Sequence, residues 1–226
     1  MSFNPIRKIK KLVERSYFYR RSAEKFLSAK TFRLDGVEYP YTIHPHNHTW
    51  TNERAVEISI AERALIQRKQ FRTLEVGNVT RHYLQTRHDV VDKYEKADGV
   101  INVDIVSFSP DQKYSFILAI STLEHVGWDR DKKEPDKIIT AVDKLKELLT
   151  QNGELLLTFP VGFNSFLDEF IEEGTLEFDQ CHFLKRINAE NEWRQVEWEE
   201  VKGTSYNSPY SNANAIVVAS YSKNPR

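Results

Sequence analysis

The chain predicts an α/β fold built on a doubly wound, mostly parallel sheet. Two observations carry this. Four short apolar runs, "HDVVD" (88–92), "GVINVDI" (99–105), "YSFILAIS" (114–121) and "ELLLTFP" (154–160), are continuous rather than alternating, as expected of strands covered on both faces. Between the last two lies "EPDKIITAVDKLKELLTQNG", an amphipathic helix with Ile138, Ile139, Val142, Leu145 and Leu149 on one face. Pro135 stands near its start and Asn152-Gly153 at its stop. Strands alternating with helices imply parallel pairing through right-handed crossovers.

Taken in order, residues 1–30 place Ile6, Ile9, Val13 and Tyr17 at helical spacing among nine Lys/Arg and two Glu. This reads as an amphipathic helix, either packed on the domain or docked on an anionic membrane surface or partner. No apolar run precedes a small-residue cleavage site, so it does not read as a signal peptide. Next, "IHPHNHTWTNER" (43–54) sets His44, His46 and His48 at alternate positions. Pro45 interrupts and no acid stands among the histidines, so no metal site is expected. A lid-like segment carrying Trp50, Asn52 and Arg54 is the better reading. "ERAVEISIAERALIQRKQ" (53–70) looks helical in its second half, and "FRTLEV" turns into the first core strand. After Pro160 come a short helix, "NSFLDEFIEEG", and three strand-like runs, "FLKRI", "RQVEWEEV" and "NAIVVASYS". The last two are expected to pair as an antiparallel hairpin that closes the sheet.

Composition narrows the class. The 226 residues are 40% hydrophobic, enough for a packed core. The longest apolar runs, such as "FILAI" and "AIVVA", fall far short of the ~20 residues of a membrane span. The single cysteine, Cys181, excludes an internal disulfide framework or a multi-cysteine metal site and fits a reducing, cytoplasmic setting.

In doubly wound sheets ligands bind beyond the carboxyl ends of the strands. Those ends read "LEVGN", Asp92, Asp104 and "STLEH". Gly77 permits a backbone conformation or close approach that a Cβ would obstruct. Asp92 suits both hydroxyls of a ribose, Asp104 an adenine amino group, and Glu75 either the turn or a ligand ammonium.

The ordered series "LEVGN", "VVD", "NVDI", "FILAISTLEHVG" and "LKELLTQNGELLLTFPVG" resembles the motifs of class I S-adenosylmethionine-dependent methyltransferases over roughly residues 71–163. The resemblance implies a Rossmann-like sheet ordered 3-2-1-4-5-7-6 with S-adenosyl-L-methionine as cofactor. It places Glu75, Gly77 and Asn78 around the amino-acid part, Asp92 at the ribose, and Asp104 with Ile105 at the adenine. Ser121 and Thr122 fall in the segment bordering cofactor and substrate. With no internal repeat and no low-complexity linker, one domain over 1–226 is the economical count: an N-terminal helix and lid-like extension (1–52), a cofactor-binding core (53–163), and a closing helix and hairpin (164–226).

The chain departs from the pattern at positions 79 and 81, which are Val and Arg where the family commonly has further glycines. A dinucleotide site leans on such glycines to cradle phosphates, whereas S-adenosylmethionine has none. Gly77 to Asp92 and Asp92 to Asp104 are also close spacings, so the crossovers there must be short. "STLEH" stands where base methyltransferases carry an Asp/Asn-Pro-Pro-aromatic motif, and no basic, aromatic-interleaved face suggests nucleic acid. The expected activity is methyl transfer by in-line displacement to a small-molecule or saccharide-type acceptor, with a hydroxyl the leading nucleophile. His125 is the candidate base, or alternatively a loop-shaping residue. The alternative from another class is a non-catalytic module of the same fold that docks through its basic first helix.

Overall fold

The computed structural model describes residue 21 and residues 25–128 and 133–224; the expected helix through Ile6, Ile9, Val13 and Tyr17 lies outside them. Helical residues at 21 and 25–27 precede an antiparallel hairpin, β1 (Thr31–Leu34) and β2 (Val37–Pro40). Its turn residues, Asp35 and Gly36, have φ of 50° and 72°. Paired left-handed residues match the right-handed twist of the flanking strands, which is why Asp-Gly suits the position. The sequence reading had no hairpin here.

Helix α1 (Arg54–Gln67) follows and begins earlier than its periodicity suggested. Residues 55–61 are buried all round, so no polar face marks that half. The main sheet then comprises β3 (Thr73–Val76), β4 (Asp89–Val91), β5 (Val100–Ile101), β6 (Tyr114–Ile120), β7 (Leu149–Pro160), β8 (Gln180–Arg186), β9 (Trp193–Val196) and β10 (Ala215–Ser222). Its spatial order is β5-β4-β3-β6-β7-β10-β8-β9. Counted from β3, that is 3-2-1-4-5-7-6 with β9 added outside. The first five strands are mutually parallel, and β10 runs antiparallel to both β7 and β8. This is a Rossmann-like methyltransferase fold.

One pairing differs from expectation. "NAIVVASYS" pairs with "QCHFLKR" (β8), whereas "RQVEWEEV" splits into β9 and the one-turn helix α4 (Trp198–Val201). Between α1 and α4 come α2 (Asp136–Leu148) and α3 (Ser165–Glu172). Trp198 leaves the strand to pack on Phe183, with ring centroids 5.3 Å apart.

Both faces of the sheet are covered, which explains the unalternating strands. Ile117, Ala119, Leu155, Leu157, Phe159 and Val217 pack with Ile138, Ala141, Val142 and Leu145 of α2. On the opposite face Phe116, Leu118 and Ile120 meet Ala61 and Ala64 of α1, and Ile216 and Val218 meet the β1–β2 hairpin. Each Val, Leu, Ile or Phe side chain so removed from water contributes about 1.5–3 kcal/mol. The close spacings at the other edge have the foreseen result: the β3–β4 connection holds only a 3-10 turn (Thr80–His82), and β4 reaches β5 without a helix.

Candidate functional site

Beyond the carboxyl ends of β3, β4, β5 and β6 lies a cleft of about 820 Å³. It brings together Gly77, Asn78, Asp92, Asp104, Ile105, Ser121, Thr122 and His125, eight of the nine residues singled out from sequence. Val126, Trp128, Tyr94, Glu95, Lys93 and Lys137 also line it. The ninth, Glu75, does not reach the cleft.

Glu75 is fully buried beneath the turn. Its Oε1 accepts from the amides of Val79 (3.0 Å) and Thr80 (2.6 Å), and its Oε2 from Thr80 Oγ1 (2.6 Å) and His88 Nε2 (2.7 Å). A row of glycines commonly shapes this turn in the resembled family; here a carboxylate gathers its amides from below. Gly77 is needed for a related reason. Its φ is +85°, and a Cβ there would lie 2.1 Å from Thr122 Oγ1. The close approach is therefore between the turn after β3 and the turn after β6.

Asp92 ties that turn to the next strand end. Its Oδ2 accepts from the Asn78 amide (3.0 Å) and its Oδ1 from the amides of Tyr94 (2.8 Å) and Glu95 (2.7 Å). A carboxylate offers about four acceptor sites. One remains, on Oδ2.

Asn78 is buried, and its Nδ2 donates to Glu95 Oε1 at 2.6 Å. Its Oδ1 has no partner. A buried, unpaired acceptor on a cleft wall is costly unless a ligand donor meets it. Asp104 caps the turn at Ile105–Ser107 and pairs with Lys137 Nζ at 2.7 Å and Lys93 Nζ at 3.5 Å. Burial pushes its carboxyl up, but the Lys137 hydrogen bond and both ammonium charges hold it below the usual range.

Ser121 ends β6 with φ of +39°, a conformation that costs a non-glycine residue on the order of 1–3 kcal/mol. Its amide donates to Thr158 O (2.8 Å) and its Oγ to Glu57 Oε1 (2.7 Å), which fixes the strained geometry. His125 sits in the following 3-10 turn, its ring edge-on to Phe163 at 4.8 Å and its Nε2 3.9 Å from Glu124 Oε1.

None of the described residues 43–54 lines this cleft. That segment packs beside it, with His46 stacked on His82 at 4.5 Å and His44 and His46 edge-on to Tyr83. Trp50 is buried. Among the described residues no group of three His, Cys, Asp or Glu side chains is arranged to hold a metal ion.

Strand order and cleft together define a chain of the Rossmann-like methyltransferase class of folds. No family model matches it, and no curated protein does. Solved structures similar in chain path include the N-methyltransferase NodS from Bradyrhizobium japonicum WM9 in complex with S-adenosyl-L-homocysteine. It is 13% identical with a TM-score of 0.45, covering 75% of this chain and 88% of its own. Another is the 1,6-didemethyltoxoflavin-N1-methyltransferase of Burkholderia thailandensis, solved with 1,6-didemethyltoxoflavin and S-adenosylhomocysteine. It is 14% identical, covers 87% of this chain and all of its own, and has a TM-score of 0.43. The sugar N-methyltransferase KedS8 from Streptoalloteichus sp. is 10% identical, covers 74% and 87%, and has a TM-score of 0.37.

Proposed function

We propose that the chain is an S-adenosylmethionine-dependent methyltransferase acting on a small-molecule or saccharide-type acceptor in the cytoplasm. The observation that carries this reading is the cleft itself. It combines an unpaired, buried Asn78 Oδ1 with one acceptor site left on Asp92, both beside a turn that presents no glycine row for phosphate.

In this reading Gly77 and Asn78 adjoin the cofactor's amino-acid end, with Asn78 Oδ1 free to accept from its ammonium. Asp92 takes a ribose hydroxyl. Ile105 offers an apolar face to the adenine, while Asp104, already committed to Lys137, holds that wall in place as well as bordering it. Ser121 and Thr122 stand at the end nearest His125. The cofactor supplies an electrophilic methyl on a sulfonium, and what the protein has to add is alignment of the acceptor and exclusion of water. Glu75 contributes by holding the turn rigid from below.

Calorimetric titration with S-adenosylmethionine and S-adenosylhomocysteine tests the reading directly. Binding in the micromolar range is expected. Absence of binding by either compound at millimolar concentration overturns it and leaves a fold without the cofactor.

A further inference from the structure

Behind Ser121, at the His125 end of the cleft, three carboxylates share one guanidinium. Glu57 is fully buried and accepts from Ser121 Oγ and Thr158 Oγ1, both at 2.7 Å, while also pairing with Arg54. Glu53, 7% exposed, accepts from the amide of Ala213 at 3.1 Å. These two acids are accounted for. Glu124 is not: it is 2% exposed, yet its Oε2 has no hydrogen-bond partner.

A buried carboxyl oxygen without a hydrogen-bond partner is expensive, and in native structures it calls for a specific explanation. Burial pushes the Glu124 carboxyl well up, its own amide and Arg54 pull it back, and Glu57 and Glu53 push it further. The Tyr206 phenol is likewise pushed up to about 12 by burial first and then by Glu53 and Glu124, so it stands close to the same acids. Aromatic rings flank the group in sequence: His125 against Phe163, and Phe163 against Tyr206 at 5.1 Å. A carboxyl group with one unpartnered oxygen, next to the aromatic run His125–Phe163–Tyr206, is a setting that favours an organic cation. A metal is a poorer occupant, because no three-ligand group is assembled among the described residues.

Resting on the methyltransferase reading above, we infer that the acceptor is an amine, bound as an ammonium against Glu124 with Phe163 and Tyr206 as its aromatic wall. The same carboxylate then serves the chemistry. An ammonium hydrogen-bonded to Glu124 can give it one proton, leaving a neutral amine. The nitrogen lone pair forms the new N–C bond as the S–C bond breaks, and the sulfonium becomes a thioether. A hydroxyl acceptor, the leading expectation from sequence, gains much less from a buried anion and leaves the excess of acid over Arg54 unbalanced.

The test uses the full chain saturated with S-adenosylhomocysteine and titrated calorimetrically with matched pairs: benzylamine against benzyl alcohol, and glucosamine against glucose. At least one amine should bind about 10- to 100-fold more tightly than its alcohol, the scale of a charge-assisted hydrogen bond. Glu124→Gln should abolish that preference and leave S-adenosylhomocysteine affinity within about twofold, well inside 1.4 kcal/mol. Its melting temperature should not fall, because Oε2 makes no hydrogen bond for the substitution to break. Equal binding of amine and alcohol, no binding by either amine, or a preference that survives Glu124→Gln overturns the inference. Failure of S-adenosylhomocysteine to bind would instead sink the methyltransferase reading, and amine titration of the unliganded protein would still judge the Glu124 site.

Discussion

Replacing Glu75 separates two roles that its place in the sequence could not distinguish. The side chain is fully buried and accepts four hydrogen bonds, from the Val79 and Thr80 amides, Thr80 Oγ1 and His88 Nε2. Glu75→Ala strands four donors in the interior, each worth about 1–3 kcal/mol if nothing replaces the carboxylate. Water entering the vacated space recovers part of this, so a net loss of about 3–5 kcal/mol is expected, as for other broken buried charged contacts. For a chain of this length that lowers the melting temperature by roughly 6–20 °C. Glu75→Gln keeps an oxygen for the two amides and offers its Nε2 to Thr80 and His88, which can accept; it should cost about 1–2 kcal/mol. Thermal and urea unfolding measure the stability, and calorimetry with S-adenosylhomocysteine measures the site. If Glu75→Ala melts within about 2 °C of the parent, below the shift from 1 kcal/mol, while ligand affinity falls more than tenfold, Glu75 is a ligand contact and the turn-holding account is wrong.

Asp92→Ala should weaken cofactor binding by about 1.5–3 kcal/mol and, because three amides lose their acceptor, also lower the unfolding free energy measurably; unchanged binding refutes the ribose assignment. Gly77→Val should fail through its collision with Thr122, so pairing it with Thr122→Ala should recover part of the lost stability, a recovery that a purely ligand-facing glycine would not show. If His125 is a base, His125→Ala should lower turnover about 10²- to 10⁴-fold at unchanged cofactor affinity. A proportional loss of stability and binding would instead mark a loop-shaping residue. Asp168, pushed up to about 6 by burial against the pull of the Gly162 amide, binds its proton more tightly folded than unfolded. Its contribution to stability is thus complete below about pH 4 and is lost as pH rises toward 6, a fall of about 1–3 kcal/mol that Asp168→Asn should remove from the pH–stability curve.

The core strands and their order were legible because both faces of the sheet are covered, which writes itself into the sequence as unbroken apolar runs. The first half of α1 was not, since a segment buried on every side loses the polar stripe by which a helix is recognised. The β1–β2 hairpin did leave a signal, Asp35-Gly36, overlooked beside the more conspicuous histidines that follow. At the site, Gly77, Asp92 and Asp104 could be picked out because strand ends must converge in this topology. That Glu75 faces inward depends on Thr80 and His88, whose contacts follow from an irregular turn with no repeat to read. The acids around Glu124 were invisible for a different reason: Glu57 and Glu53 approach it from the start of α1, 67 and 71 positions away in the chain.

The short outermost strands bear on how the molecule behaves in a crowded solution. An open sheet invites a neighbouring chain to continue its ladder, and long, flat borders are the most inviting. Here one border is β5, only Val100–Ile101, too brief to template much. The other is β9, four residues long, where the Trp193 amide is occupied by Tyr41 Oη at 2.8 Å and Gln195 Oε1 receives the Asp35 amide at 2.7 Å. Residues 35–41 therefore act as a selvedge, finishing a border that would otherwise fray into self-association. A chain trimmed at about residue 42 would keep the cleft's walls yet uncover β9, and its first fault would be turbidity on concentration rather than loss of ligand binding.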